Sequence, residues 1–382
     1  MGDTRTGPLA GLKVIDAASL YAAPFIATLL ADHGADVIKL EPPGGDPYRV
    51  DRRPLWPILS RNKRSMTLDI TSERGADLLR RLVEHVDVLV LNLLPRQLEK
   101  RGLTWDRLSA INPDLILVCV TSFGLDGPNA DQPGSGTLGE AFGGLTNLTG
   151  ERGGKPMLSA VPLGDAVTGM MGAFGVLAAC YERSRGGKGQ LIDVNPVEAL
   201  MHVAAPSFAE WVPGGAVPSR TGGRLPGQPI RNCYLCADEV WVAISCSTPR
   251  HVVQLLELAG HANTGTEMYD GEFDDAVATW VGANGRASVI EQMAAQRLPV
   301  VPVHDPASLV DDPHVVARGS LVTVASTEVG ERIVPRPAPR LQSDAAGDVR
   351  CPDTGEDNAY VFGDILGLSS DELDELRRSG VV

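Results

Sequence analysis

The stretch GLKVIDAASLYAAPFIATLLADHGADVIKL, residues 11–40, reads as a strand, a helix and a second strand. Val14 to Asp16 is a short apolar strand, Pro24 to His33 carries apolar residues at helical spacing, Gly34 stops the helix, and Asp36 to Leu40 is the next strand. Two strands joined through a helix pair in parallel. A second unit of this kind follows in Ser65 to Ile70, the amphipathic helix Glu73 to His85 and the strand Val86 to Leu91. The near-continuous apolar runs of Val86 to Leu91 and Leu115 to Val120 suit strands covered on both faces. The N-terminal part therefore predicts an α/β fold, a Rossmann-like large domain around a parallel sheet.

From Gly124 to Gly164 the chain is rich in Gly, Pro, Asn and Asp, with one short helix around Leu138 to Phe142, and reads as a long ligand-carrying loop. Ala166 to Arg183 is a small-residue helix in which Gly169, Gly172 and Gly175 would let another backbone pass nearby, and Leu191 to Val194 is a strand. The Pro/Gly/Arg composition past residue 205 marks a linker, and Tyr234 to Ile244 predicts a hairpin turning at Ala237 to Glu239. Pro249 to Leu298 is mostly helical, Val300 to Val303 and Leu321 to Leu341 are strands, and the end is a helix capped by Ser369 or Ser370. The expected division is 1–205 for the first part of the large domain, 206–224 for a linker, 225–325 for a smaller α+β domain, and 326–382 for the return to the large one.

A formal charge of −14 argues against nucleic acid and anionic membrane as partners, because an acidic field repels polyphosphate. The N-terminus lacks a signal-peptide pattern, no run of about 18 apolar residues is evident, and the six cysteines follow no framework, so a cytoplasmic protein with reduced thiols is expected. Cys233 and Cys236 form a C-x-x-C pair without a second pair at zinc spacing; two packing cysteines beside a turn compete there with a metal or redox site, and no metal is expected.

Three further features bear on function. The string GSGTLG, Gly134 to Gly139, matches G-x-G-x-x-G, but it follows a Pro-rich loop instead of a strand, so no dinucleotide site is expected. Arg49, Arg52, Arg53, Arg61, Lys63 and Arg64 concentrate positive charge in an acidic protein; the cluster is either a phosphate site or a solvated loop. Asp165, in PLGD at the start of a helix, is either an N-cap or a carboxylate nucleophile for a thioester carbonyl, with glycine N–H groups beside it for the oxyanion.

Beyond these local patterns, the strings GLKVIDAASLYAAPFIATLLADHGADVIKLEPPGGDPYR, NKRSMTLDI, VDVLVLNLLPRQLEKRGLTWDRLSAINPDLILVCVTSFG, PLGDAVTGMMGAFGVLAACYERSRGGKGQLIDV, DDPHVVARG and LSSDELDELRRSGVV span the chain from about residue 11 to its end. Through them it resembles the class III CoA-transferases (CaiB/BaiF family), which include formyl-CoA transferase, carnitine CoA-transferase and alpha-methylacyl-CoA racemase. The resemblance implies an interlocked homodimer acting on acyl-CoA and a carboxylic acid, with coenzyme A as substrate and no bound prosthetic group. It implies that Asp165 forms an aspartyl anhydride and then an aspartyl-CoA thioester. It carries CoA contacts onto Tyr21, Ala22, Asn92, Leu93 and Lys100. Arg49 and Arg64, from the basic cluster, join them as candidate phosphate contacts.

The chain departs from the family pattern at Pro133 to Gly136. Racemase relatives carry an acid/base histidine there and this chain has Ser135, with no histidine between Asp126 and Met170, which favours transfer over racemisation. Many transferases have Tyr or Phe in that position with an acidic residue after it; Gly134, Ser135 and Gly136 leave the space open, as for a bulkier acyl group or acceptor. Ser135, Glu140 and the stretch Arg224 to Arg231 are expected to shape the acyl pocket. A racemase or a silent CoA-binding protein are the competing readings.

Overall fold

The computed structural model describes residues 6–225, 227–261, 272–343 and 349–382. They divide into two compact units, one within Met1–Thr146, Leu158–Gly215 and Gly319–Val382, the other within Asn147–Met157 and Ala216–Arg318. Segment 147–157 thus belongs with the second unit, away from the predicted boundary at 225, and the predicted linker 206–224 begins inside a helix.

The first unit is built on β1 (Lys13–Asp16), α1 (Ala22–Asp32), β2 (Asp36–Glu41), α2 (Trp56–Ser60), β3 (Arg64–Thr67), α3 (Glu73–Val83) and β4 (Val88–Leu91). It continues through α4 (Pro95–Arg101), α5 (Trp105–Ile111), β5 (Ile116–Val120), α6 (Gly136–Phe142), a short α7 (Leu145–Leu148), α8 (Leu163–Ser184), β6 (Gln190–Val194), α9 (Pro196–Val203) and α10 (Ala205–Glu210). The strands form one parallel sheet in the order β3-β2-β1-β4-β5-β6.

Alternate residues of the strands feed two cores. Ile15, Ile38, Leu89, Leu91 and Leu117 face α3, α5 and the C-terminal segment, where Phe362 and Leu376 are buried. Val14, Val37, Val88, Val90, Ile116 and Val118 face α1 and α8. This period of two explains why the strands read as continuous apolar runs.

Helices α1 and α8 cross at glycines: a Cβ on Gly169 would lie 2.8 Å from the Phe25 ring, and one on Gly172 would lie 2.9 Å from Ile26 Cγ1 and closer still to its Cδ1. Helix α8 is the one described helix long and apolar enough, by length and composition, to cross a membrane. Its Ala173, Val176 and Ala179 are instead buried against the sheet, while Met170, Phe174, Leu177 and Tyr181 form a second, exposed apolar stripe.

The second unit contains the antiparallel strands β7 (Ile230–Leu235), β8 (Trp241–Cys246) and β9 (Val300–Pro302), with α11 (Pro249–Leu258), α12 (Glu272–Gly282), α13 (Arg286–Ala295), α14 (Pro306–Val310) and α15 (Pro313–Arg318). The predicted hairpin is present, with Tyr234 opposite Val242 and Glu239 at φ 60° in its turn. Cys236 is in the apolar core of this unit and Cys233 is exposed, so the two do not share one environment.

The chain returns to the first unit with β10 (Leu321–Val324), antiparallel to β11 (Arg332–Pro335), a π-helical turn at Tyr360–Ile365 and α16 (Ser370–Arg378). Ser369 caps α16, with Glu372 completing a capping box.

The basic run is where sequence and structure part. Arg49 is only 5% exposed. Its guanidinium makes two 2.7 Å bonds to Glu41 and one to Glu328, donates to Pro352 O, and lies 4.1 Å over the Trp56 ring. Arg61 pairs with Asp32 and Lys63 with Asp16. Arg64 bonds Asp36 and Asp357 at 3.0 Å and covers the Tyr360 ring.

The partners Glu41, Asp32 and Asp16 have buried side chains, and Arg49 and Arg64, through Glu328, Pro352 O and Asp357, fasten the returning C-terminal segment to β2 and β3. Arg49 and Arg64, expected as phosphate contacts, are engaged in internal ion pairs, while Arg52 and Arg53 of the same run are exposed. Removing one partner of a buried pair leaves the other charge uncompensated. Arg49→Ala is therefore expected to lower the free energy of unfolding by about 3–5 kcal/mol, measured by urea denaturation; a loss under about 1 kcal/mol would mean that Glu41 does not depend on it.

Candidate active site

The strand order reverses between β1 and β4, and the segments leaving their carboxyl ends diverge there. In open α/β sheets that point forms a crevice for ligands. Here it holds a cleft of about 210 Å³ lined by Ser19, Leu20, Ala22 and Ala23 after β1, Asn92 and Leu94 after β4, and Val120 to Ser122 at the end of β5. Pro133 to Gly136, Asp165 and Pro196 complete its wall.

Asp165 stands in the first turn of α8, whose N-cap position is Pro162, so it is a first-turn carboxylate and not the cap itself. Its carboxylate accepts a hydrogen bond from the Gly136 amide at the start of α6. The N-termini of two helices thus converge on one negative charge, which favours its ionised form. Burial opposes this most strongly and Glu140 adds repulsion, so the Asp165 carboxyl is pushed above the usual carboxylate range despite the Gly136 bond. The result is a partly desolvated carboxylate facing a cleft.

The glycines of GSGTLG are explained by crowding around this point. A Cβ on Gly134 would lie 2.6 Å from Ser122 Oγ, one on Gly136 2.5 Å from Asp165 Cγ, and one on Gly139 2.8 Å from Pro196 Cγ. Ser135 caps α6 by accepting from Leu138 N. The motif serves close packing under a carboxylate.

The other expected site residues separate into two groups. Ala22 and Asn92 line the cleft. The Tyr21 phenol is held above its ordinary range, by burial first and by the Asp165 charge second, which places it within electrostatic reach of the carboxylate. The Asn92 side chain is engaged by protein: Oδ1 accepts from Ser19 N at 3.1 Å and Nδ2 donates to Ser19 O at 2.9 Å, clamping the β1–α1 turn in which Leu20 has φ 67°. Leu93 packs against the core beneath the sheet, and Leu94 takes its place in the cleft wall. Lys100 is exposed in the last turn of α4, outside the cleft lining. Glu140, expected in the acyl pocket, is 2% exposed and bonded to backbone amides. Arg224 lies in the second unit, paired with Asp274, and position 226 of the stretch 224–231 falls outside the described residues. Among the described residues no group of three His, Cys, Asp or Glu side chains converges as a metal site.

Residues 9–358 match the sequence model of CoA-transferase family III. The chain belongs to that family. This family III CoA-transferase is 34% identical to the succinyl-CoA–D-citramalate CoA-transferase of Chloroflexus aurantiacus, over 98% of both chains. It is 36% identical to the succinyl-CoA–L-malate CoA-transferase beta subunit of the same organism, over the whole of each chain. A CAIB/BAIF family protein from Brucella suis has the same fold, with a TM-score of 0.81 and 29% identity over 94% of this chain and all of that one.

In this transferase the crowding at Gly136 is the most direct handle on the site. Gly136→Ala must displace Asp165 or the α6 start, and a misplacement near 1 Å costs about 10²-fold in rate. Steady-state turnover of the variant is expected to fall by that order; a wild-type rate would mean that the loop relaxes without moving the carboxylate.

Proposed function

We propose that this enzyme moves CoA between an acyl-CoA thioester and a free carboxylic acid, with Asp165 as covalent nucleophile. The observation that carries the reading is the half-buried Asp165 carboxylate, held by the Gly136 amide at the wall of the switch-point cleft. One carboxylate oxygen attacks the thioester carbonyl, the C–S bond breaks, and an aspartyl–acyl anhydride and CoA thiolate result. The thiolate attacks the aspartyl carbonyl, releasing the first carboxylic acid as its anion and leaving an aspartyl-CoA thioester. The acceptor carboxylate then reverses both steps, so atoms and charge balance without an added oxidant or base.

Two relatives are named for succinyl-CoA as donor and for D-citramalate or L-malate as acceptor. Succinyl-CoA and a hydroxylated dicarboxylic acid are the substrates this reading takes first. The hydroxyl-bearing wall of Ser19, Thr121, Ser122 and Ser135 supports a polar acceptor, and the absence of histidine from the cleft-lining residues supports transfer over two-base racemisation. A cytoplasmic setting belongs to the same reading and is in keeping with six free cysteines.

The deciding experiment is peptide mass spectrometry after incubation with succinyl-CoA and trapping by hydroxylamine or borohydride. An adduct on Asp165 that disappears in Asp165→Ala is expected; an adduct on another residue, or none with retained turnover, sinks the covalent mechanism.

The stripe Met170, Phe174, Leu177 and Tyr181 on α8 is exposed, and Phe174 is 72% accessible. An apolar face of this kind marks a protein–protein surface, and it supports the interlocked homodimer as the working assembly. The relative named as a beta subunit makes a mixed pair the alternative. Light scattering on the purified chain is expected to give twice its 40.4 kDa and a lower mass for Phe174→Glu; a monomeric wild type would point to the mixed pair.

A further inference from the structure

Glu140 lies one turn along α6 from Gly136 and is buried to 2% exposure. Among the hydrogen bonds described, its carboxylate has backbone partners only: Oε2 accepts from Ser159 N at 3.0 Å and Oε1 from Gly164 N at 3.3 Å. Both amides belong to the segment that enters α8, and Gly164 immediately precedes Asp165. A Cβ on Gly164 would lie 2.9 Å from the Gly136 carbonyl carbon, so the starts of α6 and α8 touch backbone to backbone. Three ties therefore join the two helix starts: the Gly136 amide to Asp165, the glycine contact, and Glu140 to the amides before Asp165.

We infer that Glu140 is a positioning residue for Asp165, holding the entry of α8 against α6 so that the Asp165 carboxylate faces the cleft. A buried carboxylate costs desolvation free energy, which two amide bonds offset only in part. A Leu or Met would fill the space without that cost, but it would leave two amides without an acceptor. The retained charge has a second effect, because it opposes ionisation of Asp165 through the low-dielectric contact between the helices.

Among the described residues Glu140 is the one charged side chain that shifts Asp165, and the titratable Tyr21 and Tyr48 phenols lie within electrostatic reach of it. On α8 the remaining charges, Glu182 and Arg183, lie at the far end; on α9 Glu198 is bonded to the Asn195 side chain and His202 is exposed in the last turn. The inference rests on Asp165 being the nucleophile.

The sign of the pH dependence follows. Asp165 acts as carboxylate, so activity is present above its midpoint and lost as pH falls through it. Removing the Glu140 charge lowers that midpoint and extends activity to lower pH. The test compares Glu140→Gln, Glu140→Asp and Glu140→Ala, with succinyl-CoA as probe. The readouts are the pH profile of Asp165 adduct formation and a carbon-13 carboxyl NMR titration of Asp165, assigned against Asp165→Asn.

Glu140→Gln is expected to move the midpoint to lower pH. Glu140→Asp keeps the charge but shortens the reach, so it should lower the plateau rate while the midpoint stays on the wild-type side. Glu140→Ala should lower kcat about 10²-fold with KM for succinyl-CoA unchanged. A merely structural role would change the melting temperature without moving the midpoint in Glu140→Gln, and an unmoved midpoint in that folded variant overturns the inference, as does a wild-type kcat in Glu140→Ala. If the wild type forms no adduct, the reading of Asp165 as nucleophile fails by itself, and the NMR titration still decides whether Glu140 governs its charge.

Discussion

The reversal of strand order between β1 and β4 is the constraint on which the site depends. A parallel sheet must send its crossovers to one side or the other, and where the direction changes, two neighbouring strands release their chains away from each other. The turn after β1 and the residues after β4 therefore cannot pack tightly, and the gap is the cleft. What remains is to keep it open in one shape. The Asn92 amide does so on one side by bonding both backbone groups of Ser19. From below, Lys39 donates to Ala18 O, and Lys63 bonds Asp16, Pro24 O and Leu59 O.

Lys63 shows why an enzyme of this kind keeps charges in its interior. Burial pulls its ammonium down to about 8, although the Asp16 charge and hydrogen bond hold it up. An apolar residue of similar volume would avoid that conflict, but it could not join a strand end, a helix start and a helix end at one point. Three donors in three directions are what an ammonium provides. The arrangement fixes the β1–α1 turn, and hence one wall of the cleft.

Much of this architecture was legible in the sequence, for a physical reason. The strands of the doubly covered sheet are uniform apolar runs, and α1, α3 and α8 carry helical spacing or an N-cap such as Ser72. The short helices α4 and α5 were missed, although Pro95 opens the first and Gly102, at φ 65°, closes it. The pairing of the basic run was not legible, because its carboxylate partners, Asp16, Asp32, Asp36, Glu41, Glu328 and Asp357, are scattered along the chain. A cluster of cations in sequence does not reveal whether its counter-charges come from a ligand or from the fold. Glu140 was expected in the acyl pocket, but its bonding was hidden for a similar reason, since its partners are backbone amides, which every residue but proline possesses. Asp165 stood out only through resemblance; its position in a helix first turn is shared by many carboxylates with no chemistry.

The balance at Asp165 carries the last step. Its carboxyl is raised in the folded state, so its contribution to stability is full when protonated at low pH and is lost as pH rises through the folded value. At neutral pH the enzyme therefore holds the carboxylate at some expense of stability. A fully solvated carboxylate would be comfortable and sluggish, because water covers its lone pairs; a fully buried one would stay protonated and could not attack. The Gly136 amide pulls toward ionisation while burial and Glu140 push against it, leaving an ion that forms but is poorly solvated. This intermediate condition needs the absence of a side chain at residue 136 as much as the presence of the carboxylate at 165. On the proposed reading of Asp165 as nucleophile, the glycines belong to the chemistry, because they bring an amide to the carboxylate and leave the cleft side open.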